Sequence, residues 1–268
     1  MNVTVKADSV NPEGGRITTM LGVYPRCIHS EHLRHRMFSF SVASSRAIPF
    51  NKLLRKVDSD PFLPTITMNK AGMSGEECLD EDMVTRAHAI IGRLARNAVD
   101  AAALLGDLGI HKQVINRYLE PFLNTVVLFT GTEGAWMNFF NLRCHAAAEP
   151  HIHQFADLCR DAYDSSEPRH LGWGDWHMPF EDKMPREEYE EIKVRISAAR
   201  CARLSYETHD TKEIDYDADI ALAEKLLNMN HVSPFEHQAV AVIYPEPNQG
   251  NFRGEWAQAR HLIQNNLL

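Results

Sequence analysis

The sequence predicts an α+β fold that is rich in helix and contains a small antiparallel sheet. Apolar residues recur at steps of three and four over long stretches in the middle of the chain, which is typical of amphipathic helices. Segments rich in β-branched residues lie nearer the two ends. No low-complexity tract or long linker interrupts the 268 residues, so we expect a single domain over residues 1–268.

The individual elements follow in chain order. Residues 16–24 are β-branched and apolar and precede a proline, which predicts a strand, and residues 27–36 predict a short helix. Prolines and glycines in residues 49–73 indicate irregular structure with one short strand near Ile66. The helical period predicts helices over residues 80–105, 110–120, 133–142, 149–164, 186–203, 216–229 and 251–262, with a loop at 165–185 and a strand at 238–244.

Composition excludes several classes of protein. A net charge of −8 argues against bulk binding of nucleic acid. No apolar run approaches the roughly 20 residues that span a bilayer, and the first residues lack the apolar core of a signal peptide, so we expect a cytoplasmic protein that does not enter a membrane. The best cluster of metal-ligand types, around His151 and His153, lacks the spacing of a metal motif, and we predict no metal.

The most informative stretch is the RHR segment, residues 34–46. Arg34, His35 and Arg36 begin it, Ser44 follows after seven residues, and Arg46 ends it. Arginine offers a planar fork of donors that suits phosphate oxygens. The segment therefore predicts a local phosphate site on an acidic protein.

A second polar stretch, which we call the SPFEH turn (residues 231–237), lies between a predicted helix and a predicted strand. Ser233 suits a helix cap or a phosphate, Glu236 can accept from a ribose or an amine, and His231 can donate. A Ser-Pro turn with a structural glutamate remains the alternative on these residues alone.

These two stretches together resemble the flavin-dependent thymidylate synthases, which carry R-H-R-x7-S and H-x-[ST]-P-F-E-H. Residues 199–206 (ARCARLSY), 116–121 (NRYLEP) and 138–143 (NFFNLR) resemble three further blocks of that family. The blocks cover most of residues 17–262, but the ARLSY and SPFEH blocks come last instead of first. We therefore expect a circularly permuted member, with an RHR strand and helix at 16–50, a helical part at 80–230 and an SPFEH segment at 231–268. A second strand and helix lead to Arg260 and His261, and we assign the chemistry to the N-terminal copy.

The resemblance implies an enzyme and its partners. Family members transfer one carbon to C5 of a pyrimidine deoxynucleotide, methylating dUMP to dTMP with FAD, methylenetetrahydrofolate and NADPH. They are homotetramers whose active sites take residues from several subunits.

It also implies roles for particular residues. The expected flavin-binding residues are Arg34, His35, Arg36, Asn138, His231, Ser233 and Glu236. The expected nucleotide-binding residues are Glu31, Arg34, Ser44, Ser45, Arg46, Arg117 and Arg143. Arg143 is the expected catalytic residue, because a guanidinium beside the pyrimidine stabilises its N3-deprotonated form and makes the ring a carbon nucleophile.

Four positions depart from the family pattern. Val42 replaces the usual Glu, Ser41 an Asn, Glu31 a Gln and Ala47 a Tyr. A carboxylate only accepts hydrogen bonds, so Glu31 favours an exocyclic amine such as that of dCMP. Two alternatives follow: a hydroxymethylase acting on dUMP or dCMP, and a non-catalytic relative that only binds nucleotide.

Overall fold

The computed structural model describes residues 1–71, 75–78, 80–183, 190–206, 215–243, 251–252, 254 and 256–268. The strands are β1 (Asn2–Val10), β2 (Arg16–Pro25), β3 (Ser39–Val42), β4 (Thr67–Met68), β5 (Glu76–Glu77), β6 (Asn124–Thr132), β7 (Arg169–His170), β8 (Trp176–His177), β9 (Ala239–Ala241) and β10 (Trp256–Gln258). The α-helices are α1 (His29–His32), α2 (Phe50–Ser59), α3 (Glu81–Asp107), α4 (Lys112–Leu119), α5 (Glu133–Arg143), α6 (Pro150–Asp164), α7 (Glu190–Arg203), α8 (Tyr216–Asn228) and α9 (Ala259–Gln264).

The main sheet has five strands in the order β3-β6-β2-β1-β7. β2 pairs antiparallel with β1 and β6, β3 pairs antiparallel with β6, and only the short β7 is parallel to its neighbour. The helix-rich α+β fold with a small antiparallel sheet is thus confirmed, and β2 lies where the sequence predicts a strand.

The sequence pattern did not predict β6, its edge neighbour β3 or the strand β1 on the other side of β2. β6 carries almost no alternation of apolar and polar residues, because it is buried on both faces. On one face Phe129 packs among the aromatic side chains of α5 and α6. On the other face Leu128 packs against Phe180 and Leu204.

The helical layer of α2, α3 and α4 contains a correction. We expected irregular structure in residues 49–73, but residues 50–59 form α2 because Leu53 and Val57 bury one face against α3. The predicted helix at 80–105 is confirmed as α3, whose N-terminus is capped by the Asp80 side chain accepting from the Met83 amide.

Two shorter predictions are also corrected. Residues 27–36 contain only the four-residue α1 preceded by a single 3-10 turn, so the RHR triplet lies in the turn after the helix. The predicted helix at 251–262 is instead β10 followed by α9, because the buried Trp256 pairs with Ala241 in a second sheet. Residues 186–189 of one predicted helix and residue 244 of the predicted strand lie outside the described residues.

Candidate active site

The residues that the sequence predicts for the site fall into three groups along residues 31–46 and the elements packed against them. The first group surrounds α1 and the end of α5. The second surrounds β3 and the SPFEH turn, and the third surrounds the turn after β3 and α4.

In the first group, Arg143 is held by two predicted site residues. Its Nε donates to His35 Nε2 at 2.9 Å, and its Nη1 donates to Glu31 Oε2 at 3.1 Å. Burial, together with the charges of Arg143 and Arg34, lowers the pKa of His35 to about 4. His35 is therefore neutral and can accept from the guanidinium, so both bonds fix the plane of Arg143.

Arg34, Arg36 and Asn138 lie on the exposed side of this group. Within the described residues neither Arg34 nor Arg36 forms an ion pair. Both guanidinium groups are exposed, so an anionic ligand could reach them.

The second group lines a cavity of about 780 Å³. Of the predicted residues, His231 and Ser233 lie in its wall, opposite Ser41 and Val42 of β3. Because Val42 replaces a glutamate of the family pattern, the wall has an apolar side chain at this position beside the Ser41 hydroxyl.

Two cations of the cavity wall, Arg203 and Lys225, were not predicted as site residues. Arg203 Nε donates to Asp219 Oδ1 at 2.7 Å, which anchors its guanidinium at the wall. The sequence signal was present, since Arg203 is the arginine of the ARLSY block. The resemblance assigned it no role.

The SPFEH turn is tied to β3 by buried side chains. His237 Nε2 lies 2.9 Å from Ser41 Oγ, and Gln258 Nε2 donates to both Ser39 Oγ and the Glu236 carbonyl. The Glu236 carboxylate pairs with Arg260. Burial raises the pKa of Glu236, although Arg260 opposes that shift. The SPFEH turn near the end of the sequence therefore packs against β3 of the RHR segment near its beginning.

In the third group, Ser45 is directed into the protein. Its hydroxyl donates to Glu120 Oε1 at 2.5 Å, and its carbonyl accepts from Asn116 Nδ2 at 2.5 Å. The Ser44 amide donates to the Ser205 carbonyl at 3.1 Å.

The two arginines of this group border a different space. Arg46 and Arg117 line an open cavity of about 510 Å³ together with Gln113, Val114 and Tyr118. Arg143, by contrast, belongs to the first group, so the expected nucleotide-binding residues of one chain do not all meet.

Neither a metal nor a membrane is indicated within the described part of the chain. No group of three or more His, Cys, Asp or Glu residues there could hold a metal ion. None of the helices described is long and apolar enough to cross a bilayer.

Solved structures are similar to part of the chain, and two of them are described here; comparison with curated proteins gives no match. The first is a UMP/dUMP methylase, PolB, from Streptomyces cacaoi bound with 5-Br UMP, at 21% identity and a TM-score of 0.47 over 55% of this chain and 68% of that chain. The second is the same enzyme bound with 5-Br dUMP, at 21% identity and a TM-score of 0.44 over 55% of this chain and 65% of that chain.

The family model described as thymidylate synthase complementing protein, Thy1, matches residues 13–168. The match spans the RHR segment, Arg117 and Arg143, and covers more than half of the 268 residues. The chain therefore belongs to the Thy1 family, the flavin-dependent thymidylate synthases whose motifs it carries.

Proposed function

We propose that this protein transfers one carbon to C5 of a pyrimidine deoxynucleotide in a flavin- and folate-dependent reaction. The reaction expected first is methylation of dUMP to dTMP, with methylenetetrahydrofolate as carbon donor and NADPH as reductant. The observation that carries the proposal is the fixed position of Arg143, held by His35 and Glu31 in a member of this family.

Arg143 is proposed to act on the pyrimidine ring. Its Nε and Nη1 are engaged by His35 and Glu31, and within the described residues Nη2 makes no hydrogen bond. A fixed cation that points a free donor at the ring stabilises the N3-deprotonated pyrimidine, which lowers the pKa of N3 and increases electron density at C5.

The cavity at the SPFEH turn fits a ligand with a flat ring and phosphates. Its walls combine apolar side chains such as Phe40 and Leu226 with the cations Arg203 and Lys225, and its volume is in the range of small-molecule sites. His231 and Ser233, with Arg34 and Arg36, would hold FAD. The flavin supplies the hydride and one-carbon chemistry, which no side chain provides.

A homotetramer with shared active sites is part of the proposal. It is supported by the separation of Arg143 from the Arg46 and Arg117 cavity, since a second subunit would bring the missing group to each site. The permuted motif order is supported by the packing of the SPFEH turn on β3, because relocated termini leave such packing intact.

The second candidate is hydroxymethyl transfer to dUMP or dCMP, and one observation favours dCMP as the substrate. The Glu31 carboxylate lies at the expected base-binding position beside Arg143, and a carboxylate can accept from the exocyclic amine of cytosine but cannot donate to a uracil carbonyl.

Product analysis tests these proposals. FAD-loaded protein is incubated with methylenetetrahydrofolate, NADPH and either dUMP or dCMP, and the nucleotide is examined by mass spectrometry. A gain of CH2 indicates methylation, and a gain of CH2O indicates hydroxymethylation.

Arg143→Ala should reduce product formation by about 100- to 1,000-fold, because it removes a charged donor aimed at the reacting ring. The matched control is Arg93→Ala, an exposed arginine of α3, which should retain activity. If Arg143→Ala is as active as that control, the assigned role is wrong. A protein that binds dUMP but cannot be loaded with FAD and forms no product would indicate the non-catalytic alternative.

A further inference from the structure

Six side chains form one continuous hydrogen-bonded chain across the main sheet, which we call the relay. It begins at Ser9 and runs through His177, Thr19, Thr130 and His237 to Ser41. The successive distances are 3.0 Å (Ser9 Oγ to His177 Nδ1), 2.8 Å (His177 Nε2 to Thr19 Oγ1), 2.7 Å (Thr19 Oγ1 to Thr130 Oγ1), 2.9 Å (Thr130 Oγ1 to His237 Nδ1) and 2.9 Å (His237 Nε2 to Ser41 Oγ).

The relay crosses four strands and emerges at the candidate active site. Its hydroxyls lie on β1, β2, β6 and β3, and its two imidazoles come from β8 and the SPFEH turn. The five members before Ser41 are at most 2% exposed. Ser41 alone is partly exposed, and it lies in the wall of the 780 Å³ cavity.

Both imidazoles of the relay are neutral. Burial lowers the pKa of His177 to about 3 and that of His237 to about 3. A neutral imidazole donates from one ring nitrogen and accepts at the other, and a hydroxyl has a single proton to donate. Each of the four inner members therefore donates once and accepts once along the relay, and Ser9 and Ser41 at its ends make one relay bond each.

This balance allows only two arrangements of the protons. If both histidines carry Nε2–H, every bond points toward Ser41, and if both carry Nδ1–H, every bond points toward Ser9. Opposite tautomers would put either no proton or two protons between Thr19 Oγ1 and Thr130 Oγ1. These oxygens lie 2.7 Å apart, a hydrogen-bond distance that requires a single proton between them, so opposite tautomers are excluded.

We propose that Ser41 contacts the ligand in the cavity and that the relay couples its hydroxyl, as donor or acceptor, to a shared tautomer of His237 and His177. In this arrangement His237, Thr130, Thr19 and His177 are positioning residues for Ser41. A ligand that presents an acceptor oxygen makes Ser41 donate, and both histidines then carry Nε2–H. A ligand that presents a donor reverses all five bonds.

The identity of the ligand rests on the proposed function. FAD would lie against His231 and Ser233 in the cavity wall, and the pyrimidine nucleotide would lie against β3, where Ser41 would contact it. Both arrangements of the relay make the same five internal bonds, so the bond to the ligand selects between them. An oxygen acceptor of dUMP or of its phosphate selects the arrangement in which Ser41 donates.

The test is nitrogen-15 NMR of histidine-labelled protein, in which the ring nitrogen shifts report the tautomer. The two rings are assigned with His177→Gln and His237→Gln. In the free protein the rings should share one tautomer, and in the complex with dUMP both should carry Nε2–H. Opposite tautomers in the free protein, or an Nδ1–H ring in the complex, would overturn the proposal.

Thr130→Val breaks the relay without changing the shape of the side chain. Thr19 then loses its acceptor and turns its hydroxyl to His177 Nε2, so His177 should switch to Nδ1–H while His237 in the dUMP complex keeps Nε2–H. The control is Thr125→Val, a buried threonine of the same strand that lies outside the relay and accepts from Arg26. An unchanged His177 in Thr130→Val contradicts the coupling.

Binding of dUMP is measured separately by calorimetry, so the two proposals can fail independently. Absence of dUMP binding contradicts the proposed function, and the tautomers of the free protein still decide the relay. Binding of dUMP with opposite tautomers contradicts the relay alone.

Discussion

Loss of the Asp219 carboxylate should destabilise the fold, because Asp219 joins α7 and α8 through two arginines. Arg200 Nε lies 2.6 Å from Asp219 Oδ2. The angle at this contact does not meet hydrogen-bond geometry, so the two groups interact through their charges. Arg203 Nε donates to Oδ1 at 2.7 Å. The side chains of Arg200 and Asp219 are 2% and 0% exposed, so the pair has almost no access to water.

Asp219→Asn keeps the shape of the side chain but leaves Arg200 as a buried cation without its counter-charge. Breaking a buried pair in this way costs about 3–5 kcal/mol. At a urea m-value of about 3 kcal/mol/M, the midpoint of unfolding should fall by about 1–2 M.

The matched control joins the same two helices at the surface. Arg195 and Glu224 lie 3.8 Å apart and are 40% and 56% exposed, so Glu224→Gln should cost at most about 1 kcal/mol. Equal urea midpoints for Asp219→Asn and Glu224→Gln would refute the assignment of Asp219 as a buried counter-charge.

Three further predictions concern the sheet, the buried histidines and the turn after β3. Gly131→Ala should lower the free energy of unfolding by about 1–3 kcal/mol, because the new Cβ would lie 2.5 Å from the Phe38 ring. Gly134→Ala in α5 should raise it by up to about 1 kcal/mol, because the nearest atom to that Cβ is 3.9 Å away. Equal thermal midpoints for the two variants would contradict this. His177 has a folded pKa of about 3, below its unfolded value, so its contribution to stability is complete above about pH 6.5 and is lost as the pH falls toward 3. His177→Gln should therefore flatten the dependence of the unfolding free energy on pH by about 1.4 kcal/mol per unit between those values, and a slope equal to that of the wild type in urea titrations would count against it. Asn116→Ala should lower the free energy of unfolding by about 1–3 kcal/mol and speed amide exchange at residues 44–48, because Asn116 Nδ2 donates to two carbonyls of that turn. Unchanged exchange would show that other contacts hold the turn.

The parts of the fold that could be predicted from the sequence are those with a one-sided apolar pattern. α3 follows directly from its period and its Asp80 cap. β6 could not be recognised because both of its faces are buried, and the helix predicted at 251–262 contains β10 because pairing with β9 overrides local propensity.

Part of the candidate site could also be predicted from the sequence, and part could not. Spacing and resemblance selected Arg143, His35 and Glu31, which the structure places in contact. The roles of Asp219 and of the relay could not be predicted, since each depends on residues that are distant in sequence and meet only through packing.

We propose above that this chain modifies C5 of a pyrimidine deoxynucleotide. The most direct measurement is mass spectrometry of dUMP after incubation with FAD-loaded protein, methylenetetrahydrofolate and NADPH, using dUMP that carries deuterium at C5. We expect a product that has lost the deuterium and gained CH2, and we expect Arg143→Ala to lose that product. Recovery of unmodified dUMP with its deuterium intact, from protein that binds both FAD and dUMP, would contradict it.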